Sequence, residues 1–124
     1  MSLTTLLGCE CYGCEPMFAP GYVRNVMDGT ELIYVSTLFE DIAKKEGFFS
    51  EEIKNKVARK GSAFGVTEIP EKWQHVFKNA NEVSIQDHIL MQSVLQQHCD
   101  SGISKTINLP STAIEDDVKY AYKI

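Results

Sequence analysis

Three cysteines lie within six residues near the start of the chain, as Cys9-x-Cys11-x-x-Cys14. Thiolates at such a spacing converge on a zinc ion or an iron–sulfur cluster when the backbone turns, and Cys99 or His98 would supply a fourth ligand. Structural metal sites usually contain two close pairs of ligands, whereas this chain has a single cluster, so we expect no metal ion here. A small metal-binding protein built on the cluster stays open as an alternative.

A lysine and a glutamate are the other residues whose surroundings suggest a specific role. Lys105 interrupts an otherwise apolar segment, Ile103–Leu109. A buried ammonium group needs a carboxylate, carbonyl or phosphate partner, so we expect Lys105 to be a salt-bridged structural residue rather than a substrate ligand. Glu15, next to Pro16, is expected to accept hydrogen bonds from nearby backbone N–H groups and to brace its loop.

The chain has three histidines, and the sequence gives none of them a ligand-binding role. His88 and His98 lie on one predicted helix, about 80° apart at ~100° per residue, so we expect them not to share a ligand. His98 continues an apolar stripe and is predicted to be a partly buried core residue.

Asp28–Gly29 lies between two segments rich in β-branched and aromatic residues, and it predicts a β-hairpin over 22–35. Asp-Gly favours a two-residue type I′ turn, because glycine tolerates the positive φ angles that this turn requires. With that turn, Val23 would lie opposite Tyr34.

About five helices are predicted from capping signals and apolar periodicity. One of them follows Ser50, carries acidic residues in its first turn and basic residues in its last, and ends at Gly61, an order that suits the helix dipole. The longest starts at Ser84 and runs to about Cys99, with Met91, Val94 and Leu95 on its apolar stripe. The remaining starts are predicted at Thr37, Pro70 and Thr112.

Composition limits the classes of protein to which this chain belongs. With 124 residues it fits one domain, and its net charge of −5 makes general binding to nucleic acid or anionic membranes unfavourable. No apolar segment approaches the roughly 18 residues of a membrane span. The cysteine pattern is a poor disulfide framework and fits a reducing compartment, so we expect a cytoplasmic protein.

The predicted elements do not add up to a closed sheet. Ile103–Leu109 predicts a strand, and the helix after it completes only the first two-thirds of a βαβ unit. One hairpin with one or two further strands does not bury a sheet on both faces. The pattern indicates a piece of a larger fold.

Three stretches of the chain resemble the large subunit of ribonucleotide reductase, most closely the adenosylcobalamin-dependent class II enzymes. Residues 12–19 are similar to the family's Ser-Gly-Ile-Glu-Pro-Leu-Phe-Ala segment, and residues 22–32 form the second stretch. The most specific stretch is 88–110, which ends in Ser104-Lys105-Thr106-Ile107-Asn108-Leu109-Pro110. Because 46–50 and 68–71 also fit in order and spacing, the resemblance covers nearly the whole chain.

This resemblance implies a fold and a function. The fold is a helix-rich α/β fragment of a ten-stranded α/β barrel, with residues 1–124 forming the C-terminal part of the catalytic barrel domain. The function is that of a ribonucleoside di- or triphosphate reductase, which reduces the ribose 2′-hydroxyl through a thiyl radical generated with adenosylcobalamin. The implied partners are the ribonucleotide substrate and the remainder of the reductase catalytic subunit.

The family's radical cysteine lies in an Asn-x-Cys-x-Glu motif, which this sequence does not contain. The residues two positions before Cys9, Cys11 and Cys14 are Leu7, Cys9 and Tyr12. We therefore expect no catalytic residue and no cofactor in the isolated chain, and we expect that chain to be inactive.

The resemblance also implies part of a substrate-phosphate site. Family members have Pro-Thr-Gly-Thr followed by a serine, whose hydroxyl and backbone N–H groups hold the phosphates. The corresponding stretch here is Met1-Ser2-Leu3-Thr4-Thr5, without the proline and glycine, so Thr4 or Thr5 matches the end of that loop. A non-catalytic interaction module on the same scaffold is the main alternative to the reductase function.

Overall fold

The computed structural model of the protein describes residues 10–124, which form two compact units. Of the described residues, the first unit contains 10–18 together with Ala80–Ile124, and the second is Ala19–Asn79. Five helices and a two-stranded antiparallel sheet occur in the described residues, a mixed composition that fits part of an α/β fold. The second unit contains β1 (Gly21–Asn25), β2 (Glu31–Val35), α1 (Thr37–Glu46), α2 (Glu51–Lys60) and α3 (Glu71–Val76). The first contains α4 (Ile85–Gln96) and α5 (Glu115–Lys123).

The predicted hairpin is present, but its register differs by one residue from the prediction. Val23 lies opposite Ile33, so the predicted pairing of Val23 with Tyr34 is wrong. Tyr34 instead pairs with Tyr22, and their ring centroids are 4.8 Å apart. Cross-strand aromatic pairs of this kind stabilise one register over another.

The turn explains the shifted register. Asp28 and Gly29 have φ angles of 65° and 77°, as the Asp-Gly pair predicts. However, the backbone N–H of Val26 donates to the carbonyl of Thr30 at 2.9 Å, which closes the hairpin around three residues rather than two. The extra loop residue is Met27, which was predicted to belong to the strand.

Serine side chains cap two helices of the second unit. The Ser50 hydroxyl accepts the backbone N–H of Ile53 at 3.1 Å, which confirms the predicted start of α2. For α1 the cap is Ser36, whose hydroxyl accepts the N–H of Phe39 at 3.4 Å. The prediction of Thr37 as the cap is therefore wrong by one residue, because the serine before it fills the same role.

The core of the second unit lies between the hairpin and its helices. Phe39 is fully buried, with its ring edge-on to Phe48 and Phe77 at centroid distances of 6.2 and 5.0 Å. Helix α3 begins at Glu71, one residue after the predicted start, and its Val76 is 58% exposed. The other buried apolar residues of this unit are Pro20, Val35, Ala43, Ile53, Val57, Ala58, Ala63, Val66, Ile69 and Phe77.

We predict that Gly21→Ala destabilises the chain by about 1–3 kcal/mol, because β1 approaches α2 too closely for a side chain. A Cβ atom at Gly21 would lie 3.0 Å from the Tyr34 carbonyl oxygen and 3.2 Å from the Ala58 Cα. Chemical denaturation measures the effect. Gly102→Ala is the matched control, since a Cβ there meets no atom within 4 Å, and an equal loss in both variants would contradict the prediction.

In the first unit, α4 starts after Ser84 as predicted but ends at Gln96, short of Cys99. The predicted apolar stripe does not form a core within the described residues: Met91, Val94 and Leu95 are all exposed. His98, predicted to be partly buried, is exposed as well, and the residue that α4 buries is His88.

The last third of the first unit departs most from the prediction. Residues 103–109 form neither a helix nor a strand, and no strand pairs with them among residues 10–124. Helix α5 begins at Glu115 rather than near Thr112, where the carboxylate of Asp117 accepts the backbone N–H of Ile114 at 2.9 Å. No helix in the described part of the chain has the length and apolar character needed to cross a membrane.

Candidate functional site

A partly buried ion pair joins the two chain segments that make up the first unit. The Lys105 ammonium group contacts the Oε2 atom of Glu15, ninety residues away in sequence. The other carboxylate oxygen of Glu15 accepts the backbone N–H of Thr106 at 2.8 Å. The Glu15 side chain therefore binds the Lys105 ammonium group and the Thr106 backbone at the same time. The prediction that Lys105 is salt-bridged is confirmed.

The two charges of this pair differ in their access to solvent. The Lys105 side chain is 3% exposed and that of Glu15 is 26% exposed. Lys105 also donates to the carbonyl oxygen of Thr106 at 2.7 Å, so the ammonium group has two partners in place of water. These two contacts compensate for the desolvation of the ammonium group.

The electrostatics of Glu15 follow from the same contacts. Burial alone would raise the pKa of its carboxyl group, but the hydrogen bonds from Lys105 and from the backbone of Thr106 act in the opposite direction. Together with the positive charge of Lys105, they leave the pKa of Glu15 below its usual value of 4.5. Glu15 is therefore an anion throughout the physiological pH range.

Local hydrogen bonds shape the loop that carries Glu15. Gly13 has a φ of +59°, a conformation that glycine adopts without strain, and the N–H of Glu15 donates to the Tyr12 carbonyl at 3.0 Å. At the other end of the loop, the N–H of Ala80 donates to the Met17 carbonyl at 2.8 Å. The loop is therefore fixed on both sides of the glutamate.

Two glutamines of α4 hold the beginning of the segment 103–109. Gln92 donates its side-chain N–H to the Ile103 carbonyl at 2.8 Å, and the Gln96 side-chain oxygen accepts the N–H of Ile103 at the same distance. Gln96 also donates to the carbonyl of Ser101 at 3.0 Å. Side chains thus provide the hydrogen bonds that a neighbouring strand would otherwise make.

Two clefts flank the ion pair within the first unit. One, of about 370 Å³, lies between the Glu15 loop and α4 and is lined by Gly13, Cys14, Glu15, Pro16, Val83, Asp87, His88, Met91 and Leu95. The other, of about 350 Å³, is lined by Ile89, Gln92, Lys105, Ile107, Leu109, Val118, Ala121 and Tyr122. Both are mainly apolar, with the ion pair supplying one charged residue to each.

His88 is the functional-type residue that the sequence reasoning missed. Its side chain is 1% exposed, and its Nε2 atom lies 3.0 Å from the carbonyl oxygen of Ala80. Its Nδ1 atom is buried without a hydrogen-bond partner. The one sign of His88 in the sequence was its position, one helical turn after the Ser84 cap.

The remaining residues that the sequence singled out are two threonines and the cysteines. Thr4 and Thr5 lie outside the described residues, as does Cys9, so their roles stay predictions. Cys11 and Cys99 are exposed and Cys14 is half-buried. Among residues 10–124, no group of three or more His, Cys, Asp or Glu side chains is placed to hold a metal ion.

Comparison with known proteins identifies the fold to which these parts belong. The family model described as "ribonucleotide reductase, barrel domain" matches residues 2–124. The chain belongs to this family. The resemblance found in the sequence is thereby confirmed across nearly its whole length.

The curated relatives are cobalamin-dependent reductases. The chain is 40% identical to the vitamin B12-dependent ribonucleoside-diphosphate reductase of Thermoplasma acidophilum over 123 residues, 99% of this chain and 16% of that protein. It is 36% identical to the enzyme of the same name from Mycobacterium tuberculosis H37Rv over 118 residues, 95% of this chain and 17% of the relative. The chain thus spans about one-sixth of the length of these relatives.

Proposed function

We propose that this chain is a segment of the catalytic barrel of a vitamin B12-dependent ribonucleotide reductase. Its match to the barrel domain over residues 2–124, with 40% identity to a reductase, carries the proposal. The reaction is reduction of the ribose 2′-hydroxyl of a ribonucleoside di- or triphosphate by a protein thiyl radical. The cysteine pattern favours a reducing, cytoplasmic setting.

In this proposal the chain contributes scaffold rather than the reacting thiol. Residues 1–124 form the C-terminal part of the ten-stranded barrel domain. Residues 103–109 become a barrel strand when a neighbouring strand pairs with them, since they belong to no helix in this structure. The remainder of the catalytic subunit supplies that neighbour and the Asn-x-Cys-x-Glu cysteine.

Glu15 is proposed as the brace of the loop that leads from the substrate phosphates. Its carboxylate binds the backbone of Thr106 and the ammonium group of Lys105. These contacts hold the loop at a fixed distance from residues 103–109. Thr4 and Thr5 precede this loop in sequence and are the proposed phosphate ligands. A mispositioned loop would weaken substrate orientation, on which catalysis depends strongly.

Residues 10–124 do not fit adenosylcobalamin as a complete binding site. The clefts of about 350 and 370 Å³ lie at the lower end of the ~300–1,000 Å³ typical of drug-sized ligands, and a corrin with its two nucleoside groups is far larger. The imidazole of His88 is also unsuited to bind cobalt, because one ring nitrogen contacts Ala80 and the other is buried. We therefore assign the cofactor to the remainder of the subunit.

A grafted enzyme tests the proposed function. The 124 residues replace the matching segment of the Thermoplasma acidophilum relative, and deoxyribonucleotide formation is assayed with adenosylcobalamin and a dithiol reductant. We expect the graft to retain at least about one-tenth of the parent activity, since segments of one family share their packing. The parent enzyme with that segment deleted is the matched control and is expected to be inactive.

The same experiment separates the main alternative. A graft that folds and binds cobalamin but makes no product would favour a non-catalytic interaction module on the reductase scaffold. Stoichiometric zinc or iron in chain purified without chelator would instead favour the metal-binding alternative based on Cys9, Cys11 and Cys14.

A further inference from the structure

His88 presents a hydrogen-bond acceptor that nothing in the described residues uses. Because Nε2 lies 3.0 Å from the Ala80 carbonyl oxygen, Nε2 carries the hydrogen and donates it. Nδ1 is then an acceptor, and it is buried without a partner. Buried polar atoms in folded proteins are nearly always satisfied, so an orphaned acceptor indicates a missing donor.

The cleft beside His88 has an apolar rim that also lacks a cover. Met91 and Leu95, one and two turns further along α4, line the same cleft and are 52% and 38% exposed. Their helical spacing is that of a core-facing stripe, which is why the sequence predicted them to be buried. The acceptor and the exposed stripe therefore lie on one face of one helix.

We infer that this face of α4 is the docking site for another segment of the reductase polypeptide, which delivers a neutral hydrogen-bond donor to His88 Nδ1. The inference rests on the proposed function. The occupant is a stretch of protein because the chain spans only about one-sixth of its relatives' length, and an apolar rim of two side chains suits a packed segment. The contacting group is a hydroxyl or an amide N–H.

A charged donor fits this place less well. The two carboxylates that line the cleft already have hydrogen-bond donors: Glu15 binds Lys105 and the Thr106 backbone, and Asp87 accepts the Ser84 hydroxyl at 2.7 Å. Nδ1 is buried in this structure, so a donor reaches it only when the side chains that cover it move. A segment that packs on Met91 and Leu95 brings its own donor and moves those side chains as it docks.

Association of two polypeptides tests the inference. The full 124-residue chain is titrated with the Thermoplasma acidophilum relative from which the matching segment has been deleted, and the dissociation constant is measured by calorimetry. His88→Gln keeps an N–H for Ala80 but has no acceptor at the Nδ1 position, and we expect it to weaken binding about tenfold. His88→Asn keeps an acceptor near that position, and we expect its affinity to lie within about threefold of wild type.

His98→Gln is the matched control, because His98 is exposed on the residues that follow the same helix, and we expect it to bind like wild type. Hydrogen exchange is a second measurement, with protection of residues 85–96 expected only in the complex. Equal binding by His88→Gln and wild type would overturn the inference and leave the proposed function intact. Failure of the wild-type chain to associate would overturn both, and protection of α4 by a ribonucleotide alone would assign the cleft to a small ligand instead.

Discussion

Glu15→Gln is expected to lower the free energy of unfolding by about 3 kcal/mol, which is at the low end of the cost of removing one partner from a buried ion pair. The reason lies in Lys105, whose side chain is only 3% exposed and would lose its counter-charge. Glutamine keeps an oxygen for the Thr106 N–H, so the change in the free energy of unfolding measures the effect of removing the Glu15 charge alone. Urea denaturation followed by circular dichroism measures it.

The pH dependence of the same variant has a defined sign. The pKa of Glu15 is lower in the folded chain than its usual value of 4.5, so the folded state favours the anion. Its contribution is fully present above pH 4.5 and is lost as the pH falls through the folded pKa. The stability difference between wild type and Glu15→Gln should therefore shrink in acid and stay constant above about pH 5.

Two comparisons make this prediction specific. Glu71→Gln removes a carboxylate that is 89% exposed, and we expect a change within about 0.5 kcal/mol. The double variant Glu15→Leu with Lys105→Met removes both charges and is expected to be more stable than Glu15→Gln alone, because no unpaired ammonium group remains buried. The single variants Glu15→Leu and Lys105→Met complete the comparison. If the loss of stability in the double variant equals the sum of the two single losses, the two residues do not act as a pair.

The grafted reductase separates stability from positioning. The double variant restores apolar packing but removes the acceptor for the Thr106 N–H, so the loop loses its brace. If Glu15 positions the loop, activity stays low in the graft even though the free energy of unfolding recovers. If both the activity and the free energy of unfolding recover, Glu15 has a purely structural role.

Local chemistry was predictable from the sequence where neighbours in the chain decide the outcome. Ser50 and Gly61 bound α2 as predicted, because a cap depends on only a few adjacent residues. The pairing of Lys105 was also predictable, since a cation in an apolar segment requires a partner. Which carboxylate serves as the partner was not, because that contact joins residues ninety positions apart.

Long-range packing accounts for the errors. The sequence placed Met91 and Leu95 in a core, yet they are exposed among residues 10–124. Likewise, residues 103–109 have the composition of a strand but no strand beside them in the described part of the chain. Apolar periodicity records the surroundings for which a sequence was selected, and this chain spans about one-sixth of the length of its relatives. In the proposed function those surroundings include the remainder of the catalytic subunit.

Phe39→Ala is expected to cost about 3–5 kcal/mol, the range for removing a large aromatic side chain from a core. Phe39 is 0% exposed and makes edge-to-face contacts with Phe48 and Phe77, which a cavity would leave without partners. Because whole domains are stable by only about 5–15 kcal/mol, much of the second unit's stability would be lost. Thermal and urea unfolding both measure it.

The adjacent residue provides the control. Leu38 and Phe39 are neighbours on α1, yet Leu38 is 51% exposed. Leu38→Ala should therefore cost less than about 1 kcal/mol, since little apolar surface leaves the interior. Equal losses from the two substitutions would contradict this prediction. They would show that Leu38 is buried in solution, by a contact outside residues 10–124 or by a second molecule.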